Sequence, residues 1–419
     1  GGVRGCGIPS PRGKRRAMST VARHVLAVGA AVLGGLLNST WNVFLRPDAP
    51  ASMRLLSSRP DGWRWEHGWF VFFLVHPLFA VAYSIGTLTP EAFSRSVAAT
   101  SAVDVFLVCF FSLLWGIGDV LFGLSIKVIG VAIGTSLTMA VVVIIGTLLP
   151  LMIGGNVASL GAGLTLVAVA VACCGFFFLA RATLIKEGAL ADKGSATEDT
   201  AADGPKPAEL ELPAAPEDGA HKSGAGVSKP TPPPSASPTP QPPLHPLLKL
   251  LLGTMAGLFA VQLQFAFVFG EGLIDEAEAR NVPGIHSPNT IWVFAFTLAA
   301  PANLAYCAYL FHRDGTWGSF FTEDGVSLLS RGLRIAAMSV LFVAHIFLYG
   351  TSQSLFGGDL GPALAWPLLM VTTVLFGNVW SMVLKEWDHA PREALTSNYV
   401  AVAFLALSAT VIAVAGVAV

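Results

Sequence analysis

Ten runs of mostly apolar residues, each long enough to cross a bilayer, decide what this chain can become. They fall near 24–45, 68–87, 103–125, 128–150 and 157–180, and then near 247–270, 289–311, 332–350, 361–383 and 398–418. A spanning helix needs about 20 such residues. Because lipid leaves backbone amides without water, only helices or closed barrels can span it. Barrel strands alternate in polarity over about ten residues, whereas these runs are continuous, so the sequence predicts an all-α polytopic membrane protein with ten transmembrane helices. Composition agrees: only 12% of the 419 residues are charged, against about 25% in soluble domains. A surface so poor in charge must meet lipid. Trp63, Trp65 and Trp69 before the second run, and Trp387 after the ninth, sit where interfacial aromatic belts belong.

Several function classes are excluded. A net charge of −1 provides no basic field for nucleic acid. The cysteines are Cys6, Cys109, Cys173, Cys174 and Cys307, four of them inside apolar runs, with no C-x-x-C spacing for a metal or redox site. There is no Walker loop, and Trp115-Gly116-Ile117-Gly118-Asp119 is too deep in an apolar run to be a phosphate loop. No paired carboxylates and no nucleophile–histidine constellation point to an enzyme, so neither catalytic residues nor cofactor nor metal are expected.

The runs divide five and five around a segment rich in proline, including Pro230, Pro232, Pro233 and Pro234. Such a composition cannot bury enough apolar surface to offset its ordering entropy. The predicted organisation is an N-terminal extension at 1–20, a first five-helix half at 21–182, a disordered proline-rich linker at 183–245 and a second half at 246–419. An internal repeat supports the division. Phe122, Gly123, Ser125, Gly130, Gly134 and Leu137 recur 227 residues later as Tyr349, Gly350, Ser352, Gly357, Gly361 and Leu364. Copies five spans apart must have opposite orientations, since five is odd, which predicts two inverted five-helix repeats with substrate bound near the midplane between them. Lys and Arg favour the linker side over the side of the termini, which predicts termini outside the cytoplasm and the linker within it. Initiation at Met18 would sharpen that asymmetry.

Trp115-Gly116-Ile117-Gly118, with Gly123-Leu124 and Gly130 beyond it, resembles the bacterial L-rhamnose–proton symporter family, as does Val383-Leu384-Lys385-Glu386-Trp387. Trp65-Glu66, Met255 with Gly257 and Phe259, Asn303-Leu304 and Trp366 also fit, so the likeness covers nearly all the chain outside 1–20 and the linker. The resemblance implies a ten-helix member of the drug/metabolite transporter superfamily that moves a deoxysugar with a proton. The chain departs from the family's usual Asn and Gln in carrying Asp119 and His345.

Those two are the candidate proton-coupling residues. A carboxylate inside a span costs about 2.5–3.5 kcal/mol on insertion scales and is rarely kept without a partner or a task, and an imidazole titrates near neutrality. The bland readings are an interfacial Asp and a hydrogen-bonded packing His. Were both functional, they would face each other across the pseudo-twofold axis. Asn38, Asn42, Gln262, Gln264 and Asn303 suit sugar hydroxyls, because neutral amides both donate and accept; interhelical bonding is their alternative. Trp41, Trp115 and Trp366 complete the candidate substrate set as stacking surfaces. Lys385 and Glu386 are candidate gating residues, as are Gly123, Gly130, Gly350 and Gly357 at the repeated connections. The expected partners are a small sugar, a proton and the bilayer, with a homodimer left open and the particular membrane undetermined. Two rival readings stand beside symport. One is a nucleotide-sugar or metabolite exchanger of the same superfamily. The other is a membrane scaffold docking partners through the proline-rich stretch Lys229 to Pro243.

Overall fold

The computed structural model describes residues 19–45, 53–55, 62–129, 131–154, 158–202, 246–321, 327–357 and 360–417. Among them there are thirteen α-helices and no strand. The first half comprises α1 (Thr20–Trp41), α2 (Trp65–Leu88), the short α3 (Pro90–Ala99), α4 (Ala102–Ile129), α5 (Val131–Ile153) and α6 (Leu160–Ala202). In the second, the sixth span is broken into α7 (Pro246–Ala260), α8 (Gln262–Phe269) and α9 (Glu271–Ala279). It is followed by α10 (Asn289–Asp314), α11 (Leu328–Phe356), α12 (Leu360–Val383) and α13 (Arg392–Val417). Ten of these stretches are long and apolar enough to cross a membrane, as the ten runs predicted.

The helices begin where side chains satisfy orphan backbone donors. Ser19 Oγ accepts from Ala22 N at 3.2 Å, Thr89 Oγ1 from Ala92 N at 3.2 Å, and Ser327 Oγ from Ser330 N at 3.2 Å. α11 ends at Gly357, whose φ of +71° is a conformation that side chains resist. α6 runs on to Ala202, so helix continues past 183, where the linker was expected to begin; 203–245 lie outside the described residues.

Each helix has a few principal neighbours. α6 lies along α13, α1 packs on α11 and α12, α4 on α7, α8 and α10, and α2 on α10 and α11. α5 packs on α7, α12 and α6, and α12 on α13. The alternating direction of the spans puts 42–45, 62–64, 315–321 and 384–391 at one end of the bundle. At that end Arg334 Nη1 donates to Arg54 O, and Lys186 Nζ lies 4.9 Å over the Trp387 ring. The other end gathers 89–101, 280–288 and the Gly357 turn, where Asn289 Nδ2 donates to Thr87 Oγ1 at 2.8 Å and Ser354 Oγ to Gly284 O at 2.7 Å.

Candidate functional site

The centre of the bundle is an aromatic and amide cluster at the crossing of α1, α2, α10 and α11. The Trp41 ring stacks on Phe72 at 5.4 Å and meets Phe342 edge-on at 5.1 Å. Its indole N–H donates to Asn38 Oδ1 at 2.8 Å, and Asn38 Nδ2 donates across to Thr373 Oγ1 at 3.1 Å. Trp69 Nε1 donates to Asn303 Oδ1 at 3.0 Å; Asn303 Nδ2 in turn donates to Gly116 O at 3.0 Å and Ala299 O at 3.1 Å. Trp115 joins through Phe296, ring centroids 5.9 Å apart. Asn38, Trp41, Trp115 and Asn303, proposed from three separate spans, therefore belong to one connected cluster.

The other expected substrate residues go elsewhere. Gln264 and Trp366 are buried in a second cluster built on Tyr349. Tyr349 Oη donates to Gln264 Oε1, Gln264 Nε2 reaches Pro362 O at 3.4 Å, and Trp366 Nε1 donates to Val142 O at 3.1 Å. Gln262 Nε2 bonds Leu258 O on its own span at 2.7 Å, and Asn42, exposed at the end of α1, bonds Asn38 O at 3.0 Å. Two residues apart on a helix, Gln262 and Gln264 face different ways.

Asp119 sits on α4 between Trp115 and Gly123, with its Oδ2 buried and without a hydrogen-bond partner. His345 is buried on α11, its ring 4.9 Å from Phe342 and its Nδ1 likewise unpartnered. Asp119 Oδ2 and His345 Nδ1 thus make no hydrogen bond to one another. α4 packs on α7, α8 and α10, whereas α11 packs on α1, α2 and α12, so the two groups belong to different interfaces.

The sequence model for the L-rhamnose-proton symport protein matches residues 50–199. An L-rhamnose-proton symporter of Klebsiella pneumoniae is 27% identical over 345 residues, which cover 80% of this chain and 85% of that protein. A second one, from another strain of the same species, is 26% identical over the same shares. The L-rhamnose-proton symporter of Shigella dysenteriae is 24% identical over 342 residues, again 80% of this chain and 85% of its own. The chain is thus similar to L-rhamnose-proton symporters along four-fifths of its length. No solved structure matches it.

The family-like motifs acquire physical meaning in the fold. In W-G-I-G, a Cβ on Gly116 would lie 2.5 Å from Ala299 O, and one on Gly118 would lie 2.6 Å from Ala260 N. The two glycines thus let α4 lie backbone to backbone against α10 and α7. In L-K-E-W, Trp387 Nε1 donates to Ser381 Oγ at 2.8 Å and pins the turn after α12. Lys385, exposed with φ +60°, and half-buried Glu386 stand on that turn at the bundle's end. Gly123 faces Trp65 and Gly350 faces Trp292, a Cβ meeting each ring at 3.2 Å. Gly357 terminates α11, and Gly130 lies outside the described residues.

Two residues of the cluster escaped the reading of the sequence. Trp69 looked like a belt residue, yet it is buried and bonds Asn303. His76, buried on α2 with Nε2 unpartnered, was passed over in a phenylalanine-rich run. A signal existed: Trp65, Trp69 and His76 stand 227 residues before Trp292, Phe296 and Asn303, the same offset as the glycine repeat.

Proposed function

We propose that this protein is a proton-coupled sugar symporter, with L-rhamnose the leading substrate. The observation that carries the reading is a likeness to L-rhamnose-proton symporters along four-fifths of the chain. The amides and indoles of the central cluster add to it, since they can take over hydroxyl hydrogen bonds and stack on a sugar's apolar face without any charge to neutralise. An anionic nucleotide sugar would call for a central cation, but Arg331, the buried guanidinium among the described residues, lies at one end under Trp63, 4.8 Å from its ring.

The proposal includes two inverted five-helix halves. Exchanging each span with the one five places along maps the extensive helix pairings onto one another: α1 on α11 becomes α7 on α4, and α2 on α11 becomes α10 on α4, while α2 on α10 and α6 on α13 map onto themselves. The contact of Gly123 with Trp65 at one end has its counterpart in Gly350 with Trp292 at the other. Asp119 and His345 are proposed as proton-coupling groups and the amides as sugar ligands that exchange their present bonds for sugar hydroxyls. The stretch beyond Ala202 is proposed to act as a tether.

Uptake by proteoliposomes of a panel of small sugars, with and without an inward-acid gradient, tests the reading. L-rhamnose should accumulate only when the gradient is imposed. Equal uptake with and without it would refute coupling, and uptake of none of the sugars would refute the substrate class. Deletion of residues 204–243 should leave accumulation intact, and its loss would favour a docking role for that stretch.

A further inference from the structure

His76 lies near the middle of α2, sealed from solvent. Its Nδ1 is 2.7 Å from Phe72 O, one turn back. Donating its N–H there leaves the lone pair on Nε2, and that atom is buried with no partner. Four rings enclose the imidazole: Phe72 stacked at 4.3 Å, Phe73 at 4.7 Å, Phe342 at 5.1 Å and Phe296 at 5.5 Å. Burying an acceptor without a partner is costly, a cost that Phe or Leu in the same cage would avoid. Packing alone therefore does not account for a histidine here. Pro77 follows directly inside the helix and offers no amide hydrogen to Phe73 O, a local break at which a helix bends.

The register match gives His76 a counterpart on α10, namely Asn303. That amide is satisfied on both atoms, by Trp69, Gly116 and Ala299. Where Trp69 supplies a donor to Asn303, Phe296 supplies none to His76. The one place is a fixed neutral amide; the other is a basic nitrogen kept vacant.

We propose that Nε2 of His76 is a proton-carrying site of the transport cycle. The lone pair takes a proton from water on one side as α2 and α11 part, and returns it to water on the other, with no other bond made or broken. The ring of Phe72, stacked on the imidazole at 4.3 Å, offsets part of the cost of burying an imidazolium there. From the helices packed on α2, α10 turns Phe296 to the imidazole and α11 turns Phe342. His345 is the titratable side chain across that ring. Glu66 and His67 are at the start of α2, Cys307 is one turn beyond Asn303, and Glu91 and Arg95 of α3 pair with each other in solvent. The proposal rests on the reading of the protein as proton-coupled, but its first test needs no sugar.

Potentiometric difference titration of purified wild type against His76→Gln and His76→Asn should show one fewer proton taken up by each variant as the pH falls from about 8 to about 3. Coincident titrations overturn the proposal whatever the substrate proves to be. In proteoliposomes, both variants should lose accumulation of L-rhamnose driven by a pH gradient by about tenfold or more, while sugar counterflow stays within about threefold of wild type. Undiminished accumulation overturns the proposal. Loss of counterflow in both variants with an unchanged thermal midpoint also overturns it, in favour of a sugar-binding or packing role. Failure of the wild type to move any sugar counts against the symport reading, and the titration still decides the role of His76.

Discussion

α2 and α10 pack on each other and carry the same spaced triplet, Trp65, Trp69, His76 and Trp292, Phe296, Asn303. At the first position the two agree in residue and in role, each indole bearing on a glycine of the repeated connection. At the last they diverge. Asn303 reaches Gly116 O because α4 comes to backbone contact with α10. The residue in register with Gly116 on α11 is buried Val343, whose side chain stands where Gly116 has none. The lesson is that agreement between the halves marks packing that both need, and divergence marks where polar chemistry is confined to one half.

The largest expected effect comes from making the two halves alike at this point. Gly116→Val would drive a branched side chain into the backbone of Ala299, which cannot yield as a side-chain tip could. Destabilisation beyond about 3 kcal/mol is expected, read as loss of monodisperse protein and a collapsed thermal midpoint. Gly163→Val, at a site with nothing within 4 Å, is the matched control. A Gly116→Val protein as stable as that control would dissolve the contrast between α4 and α11.

Next in size is Asp119→Asn. The residue in register on α11 is buried Ile346, so the carboxyl belongs to one half only. Removing it should lower accumulation driven by a pH gradient by about tenfold, roughly 1.4 kcal/mol, with counterflow of preloaded sugar retained. Asn is also the family's usual residue here, and unchanged accumulation would show that this chain's proton travels without Asp119. Smaller still are Gly123→Leu and Gly350→Leu, each pressing on an indole at 3.2 Å. An indole can shift, so transport should fall by only about fivefold, roughly 1 kcal/mol, and by similar amounts at the two sites. Sensitivity at one site alone would break the pseudosymmetry.

The spans were readable from sequence because lipid imposes one requirement on every residue of a run, and all ten runs meet it. The candidate cluster was readable where a polar residue inside a span bonds a second helix as well as its own. Asn303 reaches Trp69 and Gly116 besides Ala299, and Asn38 reaches Thr373 besides Trp41. Gln262 had an outlet, the carbonyl of Leu258 four residues back, and Gln264 was drawn to Tyr349 by helix crossings that no local pattern encodes. His76 was missed because its neighbours in sequence are apolar and a lone histidine beside a proline carries no spacing. Its meaning depends on Asn303, which only the register between the second and seventh spans connects to it.

The smallest effect concerns the bond that separates the two triplets. Trp69→Phe makes α2 resemble α10 at this position, removing the indole donor but keeping an aromatic ring against Trp41 and Phe73. Asn303 Oδ1 then loses its 3.0 Å partner, while its Nδ2 keeps Gly116 O and Ala299 O. Hydrogen bonds between transmembrane helices average about 0.6 kcal/mol in double-mutant cycles, because an amide released inside a membrane finds other partners. A cycle of Trp69→Phe with Asn303→Leu should return a coupling of about that size in thermal or denaturant unfolding. The single Trp69→Phe change should cost more than the coupling, since the smaller ring also leaves space. A coupling indistinguishable from zero would mean that Asn303 is held by α4 alone. The contrast between a bonded Asn303 and a vacant His76 would then come from the glycine of α4, not from the indole of α2.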